Sequence, residues 1–578
     1  MLILLDPVTD EFATEEPPSI GVADLDERPR DAAQPSEYPE ENPSPTESVL
    51  ARARLDVDAN PANLLARERL GLLLLASGQY EAAMAELRPS GDDARRRPIA
   101  DAGYARALAL LGRPDEALAI ATKLKEQPSS SVMGLAKEAD VASRTGDHAR
   151  AVGALRHLVL REPTRSGHRV ELARALLRRG NEGDIRDAVR TLRSCLRLTP
   201  TSSAALQVLG VAHAMRGEMD SARTSFLTAL HINPGYPDAI IALAKLMITR
   251  GDYPAVLSLP WEPAAFRLAS RCEFLELRAW SQVQLKAYKP ARTELMTALS
   301  DVAASHSDMP TQARLTNNLG VCYVLLRQTD NAEKMFQGAL RLAPTGGMAP
   351  YVNLGRLYVV SGKFEQSASL LSECLRQFPK NIDAGLLLAY TYGQQERYSE
   401  AIALLEGMLA WDKPPASVFA TLGGLLSDAK RLDRSIEVLL AGLEQFPSDA
   451  MLQNNLAYSY LLDGQVDAAK AVLATVGVGE ESPYLLATRG LYSITIGDLD
   501  EGIEGYADAE RLAARTGQAG LMPAIRQKRH LEVARYYHRT GQTHAAHREV
   551  LLGLRVRNGG RRDFRRDLQA LEAALIEE

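Results

Sequence analysis

A small residue, glycine or alanine, returns at a near-constant interval along most of the 578-residue chain. It stands at Gly71, Ala105, Ala139, Ala173, Gly210, Ala244, Ala279, Gly320, Gly355, Ala389, Gly423, Ala457, Gly490 and Ala534. Most steps are 34 residues, and a second small residue often follows twelve positions later, as at Ala83, Ala117, Ala151, Ala222, Ala291, Ala401, Ala469 and Ala546. Such a spacing marks a repeated unit rather than one globular core. Residues Leu315 to Pro344 define that unit. Leu315, Leu319, Tyr323 and Leu326, then Ala332, Phe336, Ala339 and Leu340, recur at helical spacing on either side of a polar break, Arg327 to Asp330. Gly320 and Ala332 are expected to let two antiparallel helices approach closely. Pro344 ends the second helix, because it donates no hydrogen bond and its ring clashes with the preceding turn. One such hairpin cannot bury its apolar faces alone, so it needs a copy of itself on each side.

The order Leu319, Gly320, Tyr323, Ala332, Phe336, Ala339 and Pro344 resembles the tetratricopeptide repeat, a helix–turn–helix unit. Leu209, Gly210, Ala222, Phe226, Ala229 and Pro234 reproduce the spacing. The resemblance covers roughly residues 47 to 560. It implies about fourteen repeats and an all-α fold, an α-solenoid wound as a right-handed superhelix.

Residues 1–45 differ in composition. Eight prolines and an excess of Asp and Glu over Arg28 and Arg30 leave too little apolar surface to offset ordering entropy, so a disordered acidic tail is expected. It carries two apolar islands, Leu2–Leu5 and Ile20–Leu25. Thr46 is a candidate N-cap for a helix bearing Val49, Leu50, Ala53 and Val57. An N-terminal lobe is expected over 46–258, with three extra residues near Gly180–Gly183. Pro260 and Pro263 should stop the second helix of the sixth repeat early, giving an irregular joint and weak repeat over 259–312, with Trp261 at a hinge or partner notch. A C-terminal lobe over 313–560 and a capping helix over 561–578 complete the division.

Cys195, Cys272, Cys322 and Cys374 lie far apart and form neither a metal spacing nor a disulfide framework. Met1–Leu5 meets Asp6 and Pro7 at once and lacks a basic flank, so no signal segment is expected. No membrane insertion is expected either, and the expected location is cytoplasmic. The excess of Arg over Lys points to a bacterial source. No phosphate-cradling loop, H-E-x-x-H or G-x-S-x-G motif occurs. Gly346-Gly347, the pair His544 and His547, Glu480-Glu481 and Asp498/Asp500 are assigned to turns or solvated faces. The expectation is a protein that is not an enzyme and has no cofactor, metal or small-molecule substrate.

Charge is uneven. From Arg144 to Arg197 there are 13 Arg and 6 Asp/Glu, whereas from Lys380 to Glu510 there are 20 Asp/Glu and 8 Lys/Arg. Arg555, Arg557, Arg561, Arg562, Arg565 and Arg566 crowd the C-terminal end. Arg174, Arg178, Arg561, Arg562, Arg565 and Arg566 are therefore candidate basic-patch residues.

The resemblance implies an interaction scaffold or adaptor that takes extended segments of partner proteins in a concave groove. Two alternatives are an assembly factor or chaperone for a bacterial motility, pilus or secretion machine, and a nucleic-acid-associated regulator using the Arg-rich patches. Nucleic acid is disfavoured by the scarcity of interleaved aromatics. In the family the residue two before the aligned small one points into the groove. Here that gives Asn318, Asn353 and Asn455, with Thr421 and Thr488 in other repeats and Leu387 breaking the series. The pattern is similar to the asparagine ladders of O-linked N-acetylglucosamine transferase repeats, where Asn holds a peptide backbone. Asn317, Arg356 and Asn454 are neighbouring candidate contacts.

Overall fold

The computed structural model describes residues 47–88, 98–126, 131–305, 309–344, 347–476, 481–557 and 564–577. The acidic tail with its apolar islands, Thr46, Gly346, Glu480, Arg561 and Arg562 lie outside the described residues. The described residues form thirty α-helices and no strand.

The helices fall into two compact units that divide between Ala287 and Tyr288, inside the 259–312 stretch. In the first unit, Glu47–Ala59 precedes six hairpins: Leu64–Ala76 with Tyr80–Leu87, Pro98–Leu110 with Pro114–Glu126, Ser131–Arg144 with His148–Arg161, Ser166–Arg179 with Glu182–Leu198, Ser203–Met215 with Met219–Ile232, and Pro237–Thr249 with Tyr253–Ser258. Leu268–Gln284 closes it. The second unit opens with Tyr288–Ser305 and continues through seven hairpins, from Met309–Leu325 with Thr329–Leu342 to Met522–Arg539 with Thr543–Arg555. Arg565–Glu577 follows. With Leu268–Gln284 and Tyr288–Ser305 taken as the seventh pair in sequence, fourteen repeats are present.

The aligned small residue works by close approach, and it meets two positions of the second helix. A Cβ on Gly320 would lie 2.5 Å from the Phe336 ring, and one on Gly210 would lie 2.4 Å from Phe226. The large residue sixteen positions on is therefore seated on the glycine. The position twelve on touches the small residue's carbonyl: Ser367 and Ser435, standing where alanine is usual, donate to the carbonyls of Gly355 (3.0 Å) and Gly423 (2.8 Å). Asn63, Asp147, Asn181, Ser202, Asp252, Asn381, Asp449, Ser482 and Asp498 each cap a helix by accepting a backbone N–H of its first turn.

Within each unit the first helices of most successive repeats touch, while among the described residues second helices make no comparable contact with one another. Each unit is thus an α-solenoid whose first helices form the inner layer. As Pro260 and Pro263 require, the second helix of repeat six ends after six residues, Tyr253–Ser258. The chain beyond it is packed: Trp261 meets Phe266 and Phe274 edge-on at 5.6 and 5.3 Å, and Arg278 lies 5.9 Å from its ring.

Candidate protein-binding surface

At 100° per residue, a side chain two positions before the aligned small residue lies about 160° from the face that meets the second helix. That is where neighbouring first helices converge, and the asparagines are engaged there. Asn353 is 0% exposed, and its Nδ2 donates to Oδ1 of Asn317 at 3.0 Å. Asn317, also buried, donates to Oδ1 of half-buried Asn318 at 3.2 Å. Asn317, Asn318 and Asn353 thus form one string across repeats eight and nine. A second string spans repeats eleven and twelve: Asn454 donates to Oδ1 of Asn455 at 3.3 Å, and Asn455 donates to the carbonyl of Ala420 at 3.0 Å. In place of a uniform ladder of amides open to the groove, Asn353 and Asn455 direct their donors to the preceding repeat. The physical reason is the close contact of the first helices.

Arg356 is buried on the helix of Asn353, Thr421 and Thr488 are buried on the first helices of repeats eleven and thirteen, and Leu387 belongs to the apolar core. Oδ1 of Asn454, a residue 3% exposed, has no hydrogen-bond partner among the described residues, a condition it shares with Oε1 of buried Gln453 on the same helix. A buried acceptor in that condition favours any ligand that brings an N–H.

The basic patches are less open than the sequence implies. Arg174 is 1% exposed, with Glu171 at 3.9 Å and Asp238 at 4.0 Å, and Arg178 is half-buried. Burial within the inner layer takes these guanidinium groups away from a phosphate backbone. Arg565 is half-buried, while exposed Arg566 pairs with Glu396 in the repeat-ten turn.

One cluster escaped sequence reading because its members lie far apart in the chain. Lys528 bonds Glu532 at 2.8 Å and sits 5.4 Å from the Tyr458 ring and 5.1 Å from the Phe564 ring. Burial works against the Lys528 charge, but Glu532 and Tyr458 together hold the ammonium above the usual lysine range. Burial likewise raises the Tyr458 phenol, against the opposing effect of Lys528, and the carboxylate of Asp428 adds to the rise. Tyr458, Lys528, Asp428 and Phe564 therefore share one neighbourhood in the second unit.

Among the described residues, no group of three or more His, Cys, Asp or Glu side chains could hold a metal ion, His544 and His547 included. The four cysteines are buried and free, and no described helix is long and apolar enough to cross a membrane.

Family models described as "Tetratricopeptide repeat" match residues 181–237, 313–345 and 358–425. With the hairpin geometry and the small-residue register, they make this chain a tetratricopeptide-repeat protein. Similar proteins include BBSome complex member BBS4 of Bos taurus, 25% identical over 34% of this chain and 36% of the relative. Protein CTR9 homolog of Arabidopsis thaliana is 21% identical over 43% and 23%, and Protein FlbA of Caulobacter vibrioides is 24% identical over 33% of each. The chain thus matches about a third or less of the length of these relatives. Among solved structures, a tetratricopeptide repeat protein from Parabacteroides merdae aligns with a TM-score of 0.37 at 18% identity, covering 44% of this chain and 98% of that one. The APC/C hetero-tetramer Cut9-Hcn1 aligns with a TM-score of 0.35 at 14% identity, covering 82% and 96%.

Proposed function

We propose that this protein is a non-catalytic, cytoplasmic scaffold that binds extended segments of partner proteins along the first-helix layer of its second unit. The buried, unpartnered Oδ1 of Asn454 carries the proposal, because a peptide N–H is the natural complement of such an acceptor. Asn318, half-buried, lies in the same layer, and Arg356, Thr421 and Thr488 lie on other first helices of this unit. Membership of the tetratricopeptide family supports protein partners as a class.

The test is affinity capture by the full chain from its native host, with partners identified by mass spectrometry and compared with the Asn318→Ala/Asn454→Ala variant. The variant should lose its specific partner while melting within a few degrees of the parent. Each change removes one neutral hydrogen bond, worth about 0.5–1.5 kcal/mol. Unchanged capture by the folded variant would move the interaction away from this layer.

A further inference from the structure

We propose that an apolar stripe on the inner face of repeats one to three is the seat of the chain's own segment Ile20–Leu25, held in cis. The seat belongs to the first unit and is independent of the amide site proposed above for the second.

Which side of a first helix faces inward follows from two contacts that skip a repeat. Arg174, one residue after its aligned Ala173, lies 4.0 Å from Asp238, which stands six residues before Ala244 two repeats on. Tyr458 and Lys528 are related in the same way, with the ammonium 5.4 Å from the ring. Positions one after and six before the aligned residue therefore converge on the concave side. In repeats one to three the residues six before are Leu65, Ile99 and Met133. Leu65 is 74% exposed and Ile99 45%, while Met133 is half-buried. Leu72, one after Gly71, is half-buried on the same side and reaches repeat two, where a Cβ on Gly103 would lie 3.0 Å from it. From repeat four to repeat seven the position six before turns small or charged, at Gly167, Ala204, Asp238 and Glu273. A run of large apolar side chains left open in the inner layer marks a binding surface. This one is confined to the three repeats nearest the tail.

The chain supplies a matching occupant. Of the two apolar islands in the tail, outside the described residues, Ile20–Leu25 is the nearer to the stripe in sequence. The residues between Leu25 and Glu47 reach up to about 70 Å when extended. Three neighbouring first helices, with axes about 8–10 Å apart, occupy only about 20 Å. Pro17, Pro18 and Pro29 suit a polyproline II segment, in which Val22 and Leu25, three residues apart, stand about 9 Å from each other. That matches the step from one side chain of the stripe to the next. Charge has the smaller part. Around the stripe Arg69, Arg106 and Lys137 stand against Glu68 and Asp140, and Asp140 is bonded by Arg144 at 3.1 Å. This small positive excess favours Asp24, Asp26 and Glu27 beside Leu25 and sets orientation, while apolar contact supplies the affinity.

The probe is a fluorescent peptide with the sequence of residues 17–30, titrated into the full-length chain at about 0.5 M salt to suppress diffuse charge attraction. With a tethered local concentration on the order of 1 mM, a contact with a dissociation constant of ~0.1 mM is about 90% occupied in cis. Val22→Ser/Leu25→Ser in the chain's own tail should therefore tighten peptide binding about tenfold relative to the parent. Adding Leu65→Ser/Ile99→Ser should abolish the gain. Both side chains are exposed, so circular dichroism should show intact helices. Equal binding by parent and tail variant would overturn the proposal, as would the absence of peptide binding to either. A gain that survives Leu65→Ser/Ile99→Ser would place the seat elsewhere and overturn it too. A parent that is dimeric until the tail is substituted would give the segment to a second copy and end the cis assignment. Partner capture that depends on Asn318 and Asn454 is read in a separate experiment, so the scaffold function stands or falls on its own.

Discussion

At the scale of single residues, the asparagines are the instructive case. From sequence they read as a row of peptide-binding amides. In the structure Asn455 closes a buried bond to the Ala420 carbonyl between two repeats. Asn455→Ala should therefore cost about 1–3 kcal/mol, because it removes this bond and leaves the buried Nδ2 of Asn454 without its acceptor, and should lower the melting temperature. Asn454→Ala keeps the bond to the Ala420 carbonyl and gives up only the longer one to Asn455, so it should cost less, about 0.5–1.5 kcal/mol. If the two variants melted alike, the inter-repeat bond would not be contributing. A second residue-level rule lies in the turns. Seven positions after each aligned small residue the backbone is left-handed, at Gly78, Gly112, Gly146, Gly180, Gly217, Gly251, Gly362, Gly464, Gly497 and Gly541. Lys286, Arg327, Glu396 and Lys430 hold the equivalent place with φ of 59–61°. For an L-residue that conformation costs roughly 1–2 kcal/mol, and glycine returns part of it in unfolded-state entropy. Lys430→Gly should thus stabilise the chain by about 0.5–1 kcal/mol, seen as a higher urea midpoint.

At the scale of elements, the helix pairs were legible from sequence because one signal, a small residue in phase, survives in every repeat. The partner of that residue was less so. Ala332 was expected opposite Gly320, and the equivalent serines do reach the small residue's carbonyl; what spacing alone did not give is that Phe336, one turn further on, fills the space a Cβ on Gly320 would take. The irregular steps resolve simply. The three extra residues of repeat four enlarge its second helix, Glu182–Leu198, to 17 residues, against 14 in His148–Arg161. The start of that helix is pinned by Asp184, which Arg179 and Asn181 both bond. The Arg179 bond holds the Asp184 carboxyl below its ordinary value, against the opposing effect of burial. A depressed carboxylate contributes stability above its unfolded-state value of 3.8 and loses it as pH falls through the lower folded value. Melting temperature should accordingly fall below about pH 4, and Asp184→Asn should flatten that acid limb. An unchanged limb would assign the acid sensitivity to other carboxylates.

At the scale of the whole molecule, charge and the break in the array set the organisation. Residues 47–287 hold 34 Lys/Arg against 27 Asp/Glu, a net +7, whereas residues 1–46 hold 2 against 12 and residues 288–578 hold 31 against 34. The compact units meet this chemical division at Ala287/Tyr288, just beyond the stretch that prolines had marked in the sequence. What sequence did not reveal was that the stretch is packed. Trp261 is wedged against Phe266 and Phe274, and Arg278 donates to the Leu257 carbonyl at 3.2 Å, so the segment is tied to the following helix. Its backbone is nevertheless the longest non-α-helical stretch inside the first unit's described residues from 131 onward, and Glu262 to Ala265 and Arg267 are exposed. A protease must draw several residues into an extended form, which costs least where no helix has to unwind. Limited digestion with trypsin should therefore give an early cut after Arg267 among the described residues. Trp261→Ala should accelerate that cut, because it removes the aromatic contacts that hold the segment down while leaving the cleavage site unchanged. Two large fragments should result, and each should keep its helical circular dichroism if the units are compact in their own right. Early cleavage within repeats eight to thirteen, with Arg267 intact, would show that the array breaks elsewhere.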